Sequence, residues 1–336
     1  MKALLIIPYF GKLPNYFPLW VESAEQNKRI FDFLIITDQD IRVKAPNIRV
    51  EKTDFPTFKK FVQSKFDFHI SLAKPYKLCD FKPAYGYIFN DDIKDDYDYW
   101  GVCDIDLIFG NAEKFLRPVW LKYDKISKLG HLQLYRNNSE LKDLFKHTTS
   151  NKTFNNYRKI FKRKGIYLFD EQFGIDDIAN HSGIITLDLD CIADISPQHA
   201  NFSVWHDYPD RKNYFTYKDG TITRFIEQES GYQKKEYLYL HLQKRPMIYN
   251  PNISLDNGFT IVPGQFINEI DTPERTFESM SLLSGGNTYY FQKKDQNKWE
   301  KLTSIYSLFH WFALQRVIKN YNKEDHSNIV KYSQLN

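Results

Sequence analysis

The chain has 336 residues with 46 Lys+Arg against 42 Asp+Glu, a formal net charge of +4, and is 42% hydrophobic and 17% aromatic. That length can bury a large core, and 27 Phe, 23 Tyr and 6 Trp are too much apolar surface for a solvated coil. The balanced charge lacks the strongly basic footprint that nucleic acid demands. Cys79, Cys103 and Cys191 are odd in number and show no C-x-x-C spacing, which speaks against a disulfide framework or a thiolate zinc site and for a reducing compartment, the cytoplasm. The apolar run Ala3 to Ile7 stops at Pro8, shorter than a signal-peptide core. Leu302 to Leu314 is too short to span a bilayer.

In chain order, Ala3 to Ile7 is a continuous apolar run suited to a strand buried on both faces, and Phe31 to Thr37 is another. Between them, Phe17, Trp20, Val21 and Ala24 are spaced for one face of a helix over Tyr16 to Arg29, giving a βαβ unit. A weaker strand at Asn47 to Glu51 and a helix at Thr57 to Phe68 follow. Next comes the lysine- and aromatic-rich segment Lys74 to Pro83, with Ala84 to Phe89 as a short helix opened by Pro83. Tyr99 to Cys103 reads as a sheet strand that ends abruptly at Asp104-Ile105-Asp106. Ala112 to Leu116, Glu140 to Lys146 and Asn155 to Lys164 look helical; Gly183 to Leu187 and Glu236 to Leu240 look like strands. The last fifty residues combine a Gly285-Gly286 turn, a hairpin around Tyr289 to Phe291 and an aromatic helix over about Asn297 to Asn320. The expectation is an α/β fold: a mixed, mostly parallel sheet flanked by helices, with a C-terminal helical extension.

Asp104 and Asp106 stand at the carboxyl end of a central strand, where ligands gather in open α/β sheets. Carboxylates at i and i+2 can turn toward one hard cation, Mn2+ or Mg2+, that bridges a diphosphate and offsets charge on a leaving group. The blander alternative is a strand-end turn with solvated aspartates. His241 closes the strand-like Tyr237 to Leu240, where a neutral imidazole could reach a metal while Lys244 and Arg245 meet phosphates; the alternative is a structural histidine beside solvated cations. In the loop after the first strand, Gly11 permits close backbone approach and Tyr9 or Phe10 could stack on a base. No G-x-G-x-x-G or G-K-[ST] is present. Lys82, beside the Lys74, Lys77 and Tyr85 cluster, is the candidate for a phosphate or donor-sugar contact, against a solvated basic face. His131, within Gly130 to Asn137, either hydrogen-bonds acceptor hydroxyls or is a satisfied core group.

Taken together, the first strand and its loop, the Thr37-Asp38 pair, the Lys/Pro segment and Trp100 to Asp106 resemble the nucleotide-sugar-binding half of GT-A glycosyltransferases. Asp104 to Gly110, Gly130 to Asn137, Phe169 to Glu171 and His241 to Arg245 resemble, more narrowly, bacterial capsule and O-antigen glycosyltransferases over roughly residues 1–250. The resemblance implies a Rossmann-like GT-A domain over 1–250 and an extension over 251–336. It implies Asp104 and Asp106 as metal ligands with His241 the third, Lys244 or Arg245 on the diphosphate, and Tyr9 and Asp38 on the nucleoside. It also implies Glu171, with Asp170 as fallback, as the base of an inverting transfer; against this stands an N-cap role for the acidic pair at the start of the helix that follows. The implied reaction moves a hexose from a UDP-sugar to a glycan or lipid-linked acceptor in surface-polysaccharide assembly. The aromatic helix near 297–320, bracketed by Lys298, Lys301, Arg316 and Lys319, either packs on the body or meets the cytoplasmic face of the inner membrane as a peripheral contact.

Two rivals stay open. A sugar-nucleotide pyrophosphorylase would want a glycine-rich basic loop after the first strand, which Pro8 to Leu13 lacks. A non-catalytic nucleotide-sugar- or carbohydrate-binding module would keep the acidic pair without turnover. No G-x-S-x-G elbow supports a hydrolase.

Overall fold

The computed structural model describes residues 1–149, 155–196, 201–204, 211–243, 245–253, 257–268, 270–280 and 326–335. Lys244, the Gly285-Gly286 turn, the hairpin at Tyr289 to Phe291 and the aromatic helix at 297–320 lie outside them.

The opening βαβ unit forms as its periodicity predicts. Strand β1 (Ala3–Tyr9) and strand β2 (Phe31–Thr37) pair in parallel, Ala3 opposite Phe31 and Tyr9 opposite Thr37. Alternate side chains divide between two cores. Leu5 and Ile7 join Phe31, Phe33 and Ile35 on one side of the sheet, while Leu4 and Ile6 join Leu34 and Ile36 on the other. Helix α1 (Phe17–Gln26) covers the first side with Phe17, Trp20 and Ala24. Helix α2 (Phe55–Ser64) covers the second with Phe58 and Val62, and its first turn is capped by Asp54, which accepts from Thr57 N at 2.7 Å.

Strand β3 (Ile48–Lys52) pairs with β2, and β4 (Tyr99–Cys103) with β1, all in parallel. The 74–89 segment differs from expectation. A 3-10 helix begins at Pro75, runs through Pro83 to Ala84, and passes into a short α-turn at Tyr85–Ile88. Pro75, with no N–H to satisfy, suits the first helical position. Asp80 receives a 2.6 Å contact from Lys77 inside the helix, so neither charge is left bare in the interior.

After β4 the chain leaves the main sheet as β5 (Leu107–Phe109) and returns through β6 (Lys125–Ile126) and β7 (Leu132–Arg136), the latter antiparallel to β4. With β8 (Thr186–Asp188) and β16 (Ile329–Lys331), the main sheet reads β16-β8-β6-β7-β4-β1-β2-β3. The mixed, mostly parallel α/β architecture is therefore as expected.

A second sheet, β12-β11-β10-β14-β15, comprises Asn213–Lys218 (β10), Thr221–Glu227 (β11), Tyr232–Tyr237 (β12), Phe259–Val262 (β14) and Gln265–Ile267 (β15). The expected boundary at residue 250 falls between partners in this sheet, since Phe215 of β10 pairs with Ile261 of β14. A three-stranded sheet joins β5, β13 (Tyr239–His241) and β9 (Ala193–Asp194), with β13 in the centre. No helix among the described residues is long and apolar enough to cross a membrane.

Candidate metal centre and cleft

Order 3-2-1-4 in the main sheet means that the chain winds outward from β1 in one direction and then resumes on its other side at β4. The crevice at the carboxyl ends of these two strands is where such sheets bind ligands. A cleft of about 1480 Å3 opens there, lined by Tyr9 from the end of β1 and Asp104 and Asp106 from the end of β4. Single small-molecule sites span roughly 300–1,000 Å3, so this cleft is larger than one small ligand needs.

Asp104-Ile105-Asp106 is the link by which the chain passes from the main sheet to the three-stranded one. Ile105 is buried in the core, and the aspartates on either side turn to the cleft. The backbone of the link is held at three points: Asp104 N donates to His131 O at 2.9 Å, Trp20 Nε1 donates to Asp104 O at 3.2 Å, and Leu242 N donates to Asp106 O at 3.0 Å. Register then brings in the histidine, because His241 of β13 pairs with Leu107 of β5, the residue after Asp106.

The ligand atoms of Asp104, Asp106 and His241 all lie within 4.8 Å of one another. His241 Nε2 is 3.5 Å from Asp106 Oδ1, the spacing of two donors that each stand about 2.1 Å from a shared ion. Two carboxylates and one imidazole are a donor set that Mn2+ or Mg2+ accepts. These residues therefore fit the cation expected from the sequence.

Burial opposes a proton on His241, but hydrogen bonds and charge from Asp106 and Asp194 prevail and push its pKa up to about 10. Neighbouring His131 is driven the other way, well below the usual histidine range, by burial and then by His241.

Lys82 links Asp104 to Asp170. Its Nζ lies 2.7 Å from Asp104 Oδ1, 2.7 Å from Gly130 O and 3.4 Å from Asp170 Oδ2. Asp170 is buried, and Glu171 is half-buried. Burial raises the pKa of both carboxyl groups, with their mutual repulsion adding to Glu171 and the Lys82 charge opposing the rise in each.

The helix that follows, Ile175–His181, is N-capped by Gly174, so capping does not account for Asp170 or Glu171. Their loop is aimed from behind by the Lys77–Asp80 pair: Asp80 accepts from Tyr167 N and Phe169 N at 3.0 Å each, and Lys77 Nζ donates to Gly165 O. Gly130 passes so close that an added Cβ would stand 2.6 Å from Asp170 Oδ2 and 2.9 Å from Glu171 Oε1.

Other candidates fall at varied distances from this centre. The Tyr9 hydroxyl donates to Lys12 O at 3.0 Å and its ring lines the cleft. Asp38 is exposed and accepts from Gly11 N at 3.1 Å, bracing the first loop from outside the cleft lining. Arg245 is a buried residue of the cleft lining, with its guanidinium 5.1 Å from the centroid of the Phe202 ring; burial lowers its pKa to about 10, which leaves it charged at neutral pH. His131 is buried, with Nδ1 2.9 Å from the Tyr239 hydroxyl and its ring centroid 4.2 Å from that of His241.

Sequence reasoning missed Asp194. It sits opposite His241 in the β9–β13 register, with Oδ1 2.7 Å from His241 Nδ1. The signal was Asp188, Asp190 and Asp194 following an apolar strand, the same pattern that marked Asp104 and Asp106.

No curated protein matches the chain. Among solved structures it is similar to the galactosyltransferase LgtC in complex with donor and acceptor sugar analogues, at 13% identity over 54% of this chain and 69% of that one, with a TM-score of 0.27. It is also similar to mouse xyloside xylosyltransferase 1 in its apo form, at 9% identity over 58% of this chain and 88% of that one, with a TM-score of 0.33. A family model matches from residue 5 to residue 270, across β1, the 104–106 link, Asp194 and His241, and the chain belongs to that family, the family of unknown function DUF6625.

Proposed function

We propose that the protein is a metal-dependent GT-A glycosyltransferase that moves a hexose from a UDP-sugar to a glycan or lipid-linked acceptor in cell-surface polysaccharide assembly, working in the cytoplasm. One observation carries the reading: the ligand atoms of Asp104, Asp106 and His241 converge at the carboxyl end of β4 inside a cleft larger than one small ligand needs.

A divalent cation held by these three residues would neutralise a diphosphate and so ease its departure. Arg245 adds fixed positive charge to the same cleft, and Tyr9 offers an aromatic face to the nucleoside. Lys82 keeps a positive charge beside Asp170 and ties that residue to Asp104. Glu171 takes the proton of the acceptor hydroxyl in an inverting transfer. Its raised pKa makes it a better base than an ordinary carboxylate once it is ionised.

The test is a panel of UDP-sugars with Mn2+, followed by release of UDP to water or to sugar acceptors. Asp106→Asn is expected to abolish metal-dependent UDP binding while leaving the melting transition intact. Unchanged binding in that variant, or UDP binding without release in any condition, would defeat the transferase reading; the second result would leave a binding module.

A further inference from the structure

A ring nitrogen serves a metal only if the proton sits on the other nitrogen and the ring is held in one orientation; both are set by what the other nitrogen touches. His241 has such a partner. Asp194 Oδ1 lies 2.7 Å from His241 Nδ1, while Nε2 faces Asp106 Oδ1 at 3.5 Å.

Asp194 is itself held in place. The β9–β13 register sets it opposite His241, Gln243 Nε2 donates to the same Oδ1 at 2.7 Å, and Oδ2 faces His131 Nε2 at 3.8 Å. His131 is fixed in turn by the Tyr239 hydroxyl on its Nδ1. Tyr239 and His241, two apart on β13, project to one side of the strand.

His131, Asp194 and His241 also come close enough to suggest a second metal site. The 2.7 Å separation of His241 Nδ1 and Asp194 Oδ1 argues otherwise. Donors about 2.1 Å from one ion and at right angles to each other stand about 3 Å apart, whereas 2.7 Å is the length of a hydrogen bond.

Resting on the transferase reading above, we infer that Asp194 is the positioning residue of the metal centre: it holds the His241 proton on Nδ1 and turns Nε2 toward Asp104 and Asp106. His131 and Tyr239 buttress it from behind. Such outer partners are worth 10–100-fold in metal affinity.

The experiment measures Mn2+ affinity in the presence of UDP, from the loss of the free-Mn2+ electron paramagnetic resonance signal, for the full chain and three variants. Asp194→Ala is expected to weaken Mn2+ binding by about 10–100-fold. Asp194→Asn keeps an oxygen that can accept the Nδ1 proton and is expected to recover part of that loss, a graded response that mere loosening of the fold would not produce. An unchanged affinity in Asp194→Ala, or equal losses in both variants, overturns the inference.

Asp106→Asn separates the two ideas. If it binds Mn2+ as tightly as the unsubstituted protein, the metal centre itself is wrong; if it loses Mn2+ while Asp194→Ala does not, only the role of Asp194 falls. Should Asp194→Ala fail to fold, 15N-histidine spectra of the unsubstituted protein loaded with diamagnetic Cd2+ decide the matter. A proton on His241 Nδ1 with Cd2+ on Nε2 supports the assignment, and the reverse overturns it.

Discussion

Lys82→Met keeps most of the side-chain stem and removes the charge that joins Asp104 to Asp170. Nζ has three acceptors within 3.4 Å, and the side chain of Asp170 is 4% exposed. Removing one partner of a fully buried pair costs about 3–5 kcal/mol, because the remaining charge is stranded. Asp104 is 34% exposed and regains water, so its share is discounted. We expect a loss of about 3 kcal/mol near pH 8.

The loss should shrink in acid. Burial already lifts the Asp170 carboxyl above the ordinary aspartate range against the pull of Lys82, and without the lysine it rises further. The folded variant then keeps a proton that the unfolded chain has released, so its stability falls as pH rises and its deficit near pH 5 is smaller than near pH 8. Urea unfolding followed by tryptophan fluorescence at the two pH values measures both quantities. A deficit below about 1 kcal/mol near pH 8, the scale of an exposed pair, or an equal deficit at both pH values, would refute the reasoning.

Gly130→Ala drives a methyl group against Asp170 Oδ2 and Glu171 Oε1. It should cost about 1–3 kcal/mol of stability and slow UDP release while leaving Mn2+ affinity alone; wild-type turnover would show that the acidic pair has no part in transfer. Glu171→Gln tests the raised carboxyl. A folded pKa above the unfolded one gives stability that is present in acid and fades as pH climbs from the ordinary glutamate range through the raised value. Melting temperatures of the glutamine variant should therefore decline less over that window, and parallel curves would count against the shift.

Much of the fold was legible because β1, β2 and β4 are buried on both faces, and continuous apolar runs of that length have few other homes. Asp104 and Asp106 were legible for the same reason: charge following such a run must lie where the strand leaves the core. The Glu236 to Leu240 strand was half right. The chain changes sheets at Leu238, whose N–H donates to Cys191 O at 2.8 Å, so Tyr237 ends one strand and Tyr239 begins another. Alternation of side chains carries no information about which partner a strand chooses.

Asp194 was missed because its strand is two residues long, too short for any period to register. The 3-10 path through Pro83 was missed because a proline inside a pattern is read as a beginning, whereas here tertiary packing of Leu78, Phe81 and Ala84 carries the helix through it. The position of Glu171 beside Gly130 depends on the buried Lys77–Asp80 pair, which looked like part of a solvated basic cluster.

The three-stranded sheet has a consequence for how the protein matures. Its strands come from three distant stretches of chain, and its central strand supplies the histidine. Pairings so far apart in sequence close late, after the local helices and the first βαβ unit have formed. A chain emerging from the ribosome thus displays both aspartates long before the histidine reaches them, so on the proposed metal-centre reading the onset of Mn2+ binding during refolding would serve as a clock for the final docking event.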